Sequence, residues 1–139
     1  MEKAEIQALI RKAFEGQQFA YTPYSHFRVG AALRAKDGRV YTGCNIENAG
    51  YTPTNCAERT AFFKAVSEGE RSFRRIAIVA GPEGEKLIHT APCGVCRQVL
   101  AEFCDPEMPV ICANRKGEYK IFAMGDLLPD AFLPEDLKK

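Results

Sequence analysis

Residues 55–80 read NCAERTAFFKAVSEGERSFRRIAIVA, and residues 92–113 read PCGVCRQVLAEFCDPEMPVICA. Each stretch passes from helical spacing into a short apolar run. In the first, Ala57, Ala61, Phe62, Ala65 and Val66 recur at helical intervals over Asn55 to Glu68, and Gly69 stops the helix. Ile76 to Ala80 follows as a buried strand, because it is apolar, short and bounded by charge and by Gly81. In the second, a helix from about Cys93 to Cys104 is expected to turn Val95, Val99, Leu100 and Phe103 inward, and Val110 to Ala113 is the next strand. Helix, strand, helix, strand in this order calls for a layered α/β fold with helices packed on a sheet.

The flanking segments extend the same plan. Ile6, Leu9, Ile10, Ala13 and Phe14 lie at i, i+3, i+4, i+7 and i+8, which predicts an amphipathic helix ending near Gly16. Residues Tyr21 to Phe27 form a loop around Pro23, and a strand runs from about Val29 to Ala35. Asp37-Gly38 tolerates the positive φ of a tight turn, so Val40 to Cys44 should pair back antiparallel. A loop through Asn45, Glu47 and Pro53 leads into the second helix. Beyond it, Gly117 marks a turn, Ile121 to Ala123 a last strand, and Asp126 to Leu128 a helical turn stopped by Pro129. The tail from Pro134 is polar and is expected to fray. The sum is a mixed five-stranded sheet in a three-layer α/β/α arrangement, over residues 1–139 as a single domain.

Composition narrows the function. The 139 residues carry 19 basic and 18 acidic side chains, a net charge of +1, which offers no field for gathering phosphate backbones or anionic lipid. No run approaches the roughly 18 apolar residues of a membrane span, and the start lacks the apolar segment of a signal peptide. A cytoplasmic protein without nucleic-acid or membrane partners is expected. In that compartment six cysteines are more readily metal ligands or catalytic groups than disulfides.

Three of them stand out. Cys93 and Cys96 are three residues apart at a helix start, so both can face one ion. Cys56 also sits at a helix start, where the dipole favours thiolate. Three thiolates leave the fourth tetrahedral position of Zn²⁺ open, as in catalytic sites. Glu58, two residues after Cys56, is near enough to move protons without being a ligand. Taken alone, Glu58 reads first as the N3 residue of a capping box with Asn55 at N-cap, and the cysteine pair reads as well as a redox or structural-zinc motif. Cys44, Cys104 and Cys112 suit buried small hydrophobes, His26 and His89 have no partner at ligand spacing, and Lys138 and Lys139 suit a solvated end.

Cys56-Ala57-Glu58 with Pro92-Cys93-Gly94-Val95-Cys96 resembles the motif of the zinc deaminases of nucleosides and bases. Tyr24-Ser25-His26-Phe27-Arg28-Val29-Gly30-Ala31-Ala32, Gly43-Cys44-Asn45-Ile46-Glu47-Asn48 and Cys56-Ala57-Glu58-Arg59-Thr60-Ala61 are each similar to stretches of the small homotetrameric cytidine deaminases. The likeness runs from about Tyr21 to Phe132. It implies one Zn²⁺ per subunit on Cys56, Cys93 and Cys96, and proton transfer by Glu58 during attack of activated water on C4. The substrates would be free cytidine and deoxycytidine, the products uridine, deoxyuridine and ammonia, and the role pyrimidine salvage. It further implies that Asn45 and Glu47 hold ribose hydroxyls, that Phe27 and Ala57 line the nucleoside pocket, and that Arg59 hydrogen-bonds to the ligand sulfurs. Phe132 would be lent to a neighbouring subunit to stack on the base. On the residues alone, Phe132 is a core aromatic, Asn45 a loop residue and Arg59 a solvated charge.

Three rivals remain at this level. Nucleic-acid deaminases usually begin their motif with histidine where this chain has Cys56. Blasticidin-type deaminases use three cysteines but lack the Glu-Arg-Thr continuation and the Asn45-Ile46-Glu47 pattern. A structural zinc module would need a fourth protein ligand. Tyr51, near a family subunit contact, stays outside the expected site, and Thr52-Pro53-Thr54 departs from several relatives.

Overall fold

The structure, a computed structural model, describes residues 2–82, 90–114 and 118–138. His89, Gly117 and Lys139, considered above, lie outside them. The chain forms α1 (Lys3–Gln17), β1 (Phe27–Ala35), β2 (Val40–Cys44), α2 (Ala57–Ser67), β3 (Phe73–Pro82), α3 (Gly94–Phe103), β4 (Pro109–Ala113), β5 (Tyr119–Ala123), α4 (Met124–Leu127) and α5 (Pro134–Leu137). The five strands make one mixed sheet in the order β2-β1-β3-β4-β5. β3 and β4 are parallel and the other neighbours antiparallel.

Strand periodicity divides the core in two. Ala31, Leu33, Ile76, Ile78, Val110 and Cys112 face α2 and α3, while the alternate residues Ala32, Ala77, Val79, Ile111 and Ala113 face α1. The three-layer arrangement expected from the sequence is therefore present. On one side Ile6, Leu9, Ile10 and Ala13 of α1 are buried, as their spacing demands. On the other, Phe62 is fully buried, with its ring centroid 5.0 Å from Phe73 and 6.2 Å from Phe103. A side chain of that kind contributes roughly 1.5–3 kcal/mol by burial.

The β1–β2 hairpin turns where Asp37-Gly38 placed it: Gly38 has φ +98°, and the Asp37 carboxylate accepts from Arg39 N at 2.9 Å. Gly43 does something different. A Cβ there would stand 2.6 Å from the Ala61 nitrogen and collide with the Ala57 carbonyl, so glycine is what lets α2 lie against β2.

Four local expectations change. β3 begins at Phe73 and runs to Pro82, longer than its apolar centre. Val95 is 57% exposed: the buried side of α3 is set by Cys96, Leu100 and Ala101, and Val95 lies about 100° away from Cys96. The segment after Pro134 is a short helix, with Pro134 in its first turn and the Asp136 carboxylate accepting from Leu133 N at 2.8 Å. Asn55 does not cap α2; Cys56 is the N-cap, so Glu58 is the second helical residue and no capping box forms.

Candidate active site

The crossover from β2 through α2 to β3, and from β3 through α3 to β4, brings the first turns of α2 and α3 together on one side of the sheet. Cys56 is the N-cap of α2 and Cys93 the N-cap of α3, and Cys96 follows one turn into α3. Their Sγ atoms all lie within 4.8 Å of one another, with Cys56 and Cys93 3.7 Å apart. Tetrahedral ligation at zinc–sulfur distances of about 2.3 Å places sulfurs ~3.8 Å apart, so these residues fit the ion. Among the described residues the group has these three members and no fourth, which fits a catalytic site better than a closed structural one. Cys96 is buried, Cys56 half-buried and Cys93 exposed, so the cluster opens to solvent on one side.

Electrostatics favour charge on Cys56, while the Cys96 thiol is pushed up by its hydrogen bond to Cys56 first and by burial with it. The Cys96 thiol hydrogen-bonds to Cys56 and lowers its pKa well below the ordinary thiol value, against the opposing effect of burial and with help from Arg59. Arg59 Nη2 donates to Cys56 Sγ at 3.3 Å. Burial works against the Arg59 charge, yet its hydrogen bonds to the Cys56 and Cys96 sulfurs raise its pKa overall. It is therefore no solvated helix charge. Glu58 is only 5% exposed, and burial, with the nearby Cys56 sulfur adding to it, pushes its carboxyl up to about 7. A carboxyl group so poised exchanges protons readily at neutral pH.

The second half of the site comes from loops held in register. Tyr21 N donates to the Asn45 carbonyl at 3.0 Å and Glu47 N to the Tyr21 carbonyl at 2.9 Å, while Ile46 and Asn55 exchange two backbone hydrogen bonds of 2.9 Å. Asn45 and Glu47 are thus fixed between the loop before β1 and the entrance to α2. Asn45 reaches sideways to β1: its Nδ2 donates to the Phe27 carbonyl at 2.8 Å and its Oδ1 accepts from Val29 N at 2.9 Å. It is more than a loop residue. Glu47 Oε1 accepts from Tyr24 N at 3.0 Å and Ser25 N at 3.1 Å, and Oε2 accepts from the Ser25 hydroxyl. The Ser25 hydroxyl first, and these backbone donors with it, hold the Glu47 carboxyl below the usual carboxylate range.

Glu47 opens on a cleft of about 420 Å³ lined by Tyr24, Ser25, Asn48, Tyr51 and Thr54. A larger concavity of about 630 Å³ lies at the far end of α3, around Phe103, Cys104 and Leu128, away from the sulfurs. Phe27 is half-buried beside the Asn45 amide, and Ala57 is fully buried in the first turn of α2. Phe132 is 59% exposed, which rules out a core role within the described residues; its carbonyl accepts from Gln98 Nε2 at 2.8 Å. Tyr51 stands exposed in a left-handed conformation with its ring edge-on to Tyr24. The Thr52-Pro53-Thr54 turn is closed by Thr54 Oγ1, which accepts from Asn48 N at 3.1 Å. Of the other cysteines, Cys44 and Cys112 are buried as expected, and Cys104 is half-buried, with burial pushing its thiol up to about 12.

Sequence reasoning passed over residues that organise this site. Thr60 Oγ1 sits 2.9 Å from the Cys44 carbonyl and 3.1 Å from that of Cys56, tying the start of α2 to the end of β2. Arg97 Nε donates to the Pro92 carbonyl at 2.7 Å and its Nη1 to the Leu127 carbonyl at 2.8 Å, joining the cysteine turn to the C-terminal segment. The available signal was adjacency: Thr60 lies inside the Cys56–Ala61 motif and Arg97 directly after Cys96, each next to a residue with evident chemistry.

Three sulfurs able to hold one ion, with a buried carboxyl beside them, are the equipment of a hydrolytic zinc enzyme. Residues 3–112 match the zinc-binding region of the cytidine and deoxycytidylate deaminases. The chain is 54% identical to a cytidine deaminase of Sporosarcina psychrophila over 96% of its own length and 95% of the relative's. It is 50% identical to one of Halalkalibacterium halodurans, over 94% and 96%. It superposes on the crystal structure of a cytidine deaminase from Burkholderia pseudomallei with a TM-score of 0.84 at 47% identity, covering 95% of this chain and all of the other. The chain therefore belongs to the cytidine and deoxycytidylate deaminase family, and it is a zinc-dependent hydrolytic deaminase.

Proposed function

We propose that this chain, as a single domain, hydrolyses free cytidine and deoxycytidine to uridine and deoxyuridine with release of ammonia. The observation that carries the reading is the buried Glu58 carboxyl in the first turn of the helix capped by Cys56, whose sulfur clusters with Cys93 and Cys96. Cys56, Cys93 and Cys96 would hold Zn²⁺, which when bound supplies the Lewis acidity that makes water a nucleophile at neutral pH. Glu58 takes the proton from the attacking water and delivers it to N3 as the oxygen joins C4. It then moves the second proton to the exocyclic amine, which leaves as ammonia. One water enters and one ammonia departs, and Glu58 ends as it began.

Asn45 and Glu47 would hold the sugar hydroxyls, Phe27 would flank the nucleoside, and Ala57 would form the wall at the helix start. Arg59 would offset the negative charge of three thiolates on a divalent ion. Phe132 would complete a neighbouring subunit's pocket in a homotetramer, with one Zn²⁺ per subunit. Its exposure supports this, as does the company of exposed Tyr21, Tyr24, Tyr51 and Val95, a large apolar display for a lone chain. We place the enzyme in the cytoplasm, in pyrimidine salvage. None of the described helices is long and apolar enough to cross a membrane.

Purified, zinc-quantified protein is assayed by absorbance on both nucleosides, with its mass measured in solution. One ammonia per cytidine consumed and a mass of four chains are expected. No turnover at full zinc occupancy would overturn the activity, and a fully active single chain would overturn the shared pocket.

A further inference from the structure

We infer that Ser25 is a positioning residue for sugar recognition, whose hydroxyl locks the Glu47 carboxylate in place and couples it to Phe27. The inference rests on the proposed nucleoside reading and adds a residue to it.

The hydrogen bonds around Ser25 form a directed chain. Its Oγ accepts from Phe27 N at 3.0 Å, which occupies an oxygen lone pair and leaves the single hydroxyl proton to point at Glu47 Oε2. Its backbone N–H, with that of Tyr24, fills Glu47 Oε1. Phe27 continues the chain, since its carbonyl accepts from Asn45 Nδ2, and Asn45 Oδ1 accepts from Val29 N. Glu47, Ser25, Phe27 and Asn45 are therefore one connected unit, with Ser25 the link between its acidic and aromatic parts.

Counting acceptors gives the consequence. A carboxylate offers about four lone-pair positions, and the Tyr24 and Ser25 donors described here fill three of them. What remains for a ligand is about one position, on Oε2, and its direction is fixed only while the Ser25 proton holds its neighbour. Glu47 and Ser25 both face the cleft, so a ligand meets this arrangement directly. The left-handed conformation of His26, φ 56°, turns the chain so that Ser25 folds back over Glu47 while Phe27 enters β1. Without the hydroxyl, Oε2 would swing between its sugar-facing position and water, and the loss would fall on binding of the sugar, leaving the chemistry at C4 alone.

A hydroxyl that merely closed the 25–27 turn would behave otherwise: its removal would lower stability and affect every substrate alike. Ser25→Ala, Ser25→Cys and Ser25→Thr are compared with wild type on cytidine, deoxycytidine and 2′,3′-dideoxycytidine. Binding of the product uridine is measured by calorimetry in parallel. Ser25→Ala should raise KM for cytidine and deoxycytidine about tenfold, the size of one hydrogen bond to a charged group. It should leave kcat within about twofold, weaken uridine by the same factor as cytidine, and leave kcat/KM for dideoxycytidine unchanged. Ser25→Cys keeps the size and offers a weaker donor, so it carries the same test should the alanine variant fold poorly. Ser25→Thr, which restores the hydroxyl, should restore KM. An equal loss on all three nucleosides, or a KM that does not move, overturns the role of Ser25 while wild-type turnover still upholds the deaminase reading. Wild-type protein inert toward every nucleoside overturns both.

Discussion

Arg59 Nη2 donates to Cys56 Sγ across 3.3 Å, so the guanidinium three residues into the motif rests on a sulfur of the metal cluster. A cation there lowers the electron density that three thiolates place on the ion. Arg59→Gln, prepared at equal zinc content, should reduce kcat roughly 10- to 100-fold, the range typical of groups that support metal ligands. Steady-state kinetics on zinc-quantified protein checks this, and unchanged kcat would remove Arg59 from the mechanism.

Glu58 is the one acidic group in the first turn of α2, and it is buried. Glu58→Gln keeps shape and burial but cannot carry a proton. Zinc content and uridine affinity should stay near wild type while kcat falls by at least the ~10²–10⁴-fold that general acid–base catalysis supplies. Near-normal turnover would refute its role.

Gly43 touches no ligand yet sets where α2 can lie. Gly43→Ala forces its new methyl against the Ala57 carbonyl and Ala61 nitrogen, pushing Cys56 and Glu58 outward. Overpacking of this kind costs about 1–3 kcal/mol, so Tm and kcat should fall together. A thermal scan with a parallel assay tests the link; a loss of Tm with intact kcat would break it.

The Glu47 carboxyl is held below its ordinary pKa by the Ser25 hydroxyl first, against the opposing effect of burial and with help from the backbone of Ser25 and Tyr24 and the charge of His26. A depressed folded pKa means that the contribution of the ionised form is complete above the ordinary carboxylate value. It is lost only as pH falls through the lowered one. KM for cytidine should therefore stay flat from neutrality down through the usual carboxylate range and climb only below it. KM for 2′,3′-dideoxycytidine should show no such climb, and KM measured against pH for both nucleosides decides the point.

Much of this molecule was legible before any coordinates. Helical spacing located the three long helices, because burial on one face leaves that imprint, and short apolar runs with turn signals such as Asp37-Gly38 located the five strands. The cysteine cluster was legible because a chemical type recurring at helix starts has few other uses. What escaped depended on phase and on tertiary contact. Val95 is apolar and helical, yet the buried face of α3 is fixed by Cys96 and Leu100, which no local pattern around Val95 reveals. The capping box failed because Asn55 is drawn into pairing with Ile46, and Cys56 takes the N-cap position instead. Arg97 joins the Leu127 carbonyl, 30 residues further on, to the Pro92 carbonyl, 5 residues back, a geometry that exists only after folding.

Cys56 and Cys93 each begin a helix, and neither side chain makes the hydrogen bond by which a serine or aspartate would close that end. Two helices thus start on sulfur, with their first amide groups unserved by any cap of their own. A cation gathering those sulfurs as thiolates lays negative charge on both positive helix ends at once. Metal held there would brace both helix starts as it served the reaction, so the ion of the reactive centre would also clasp the two inner helices together.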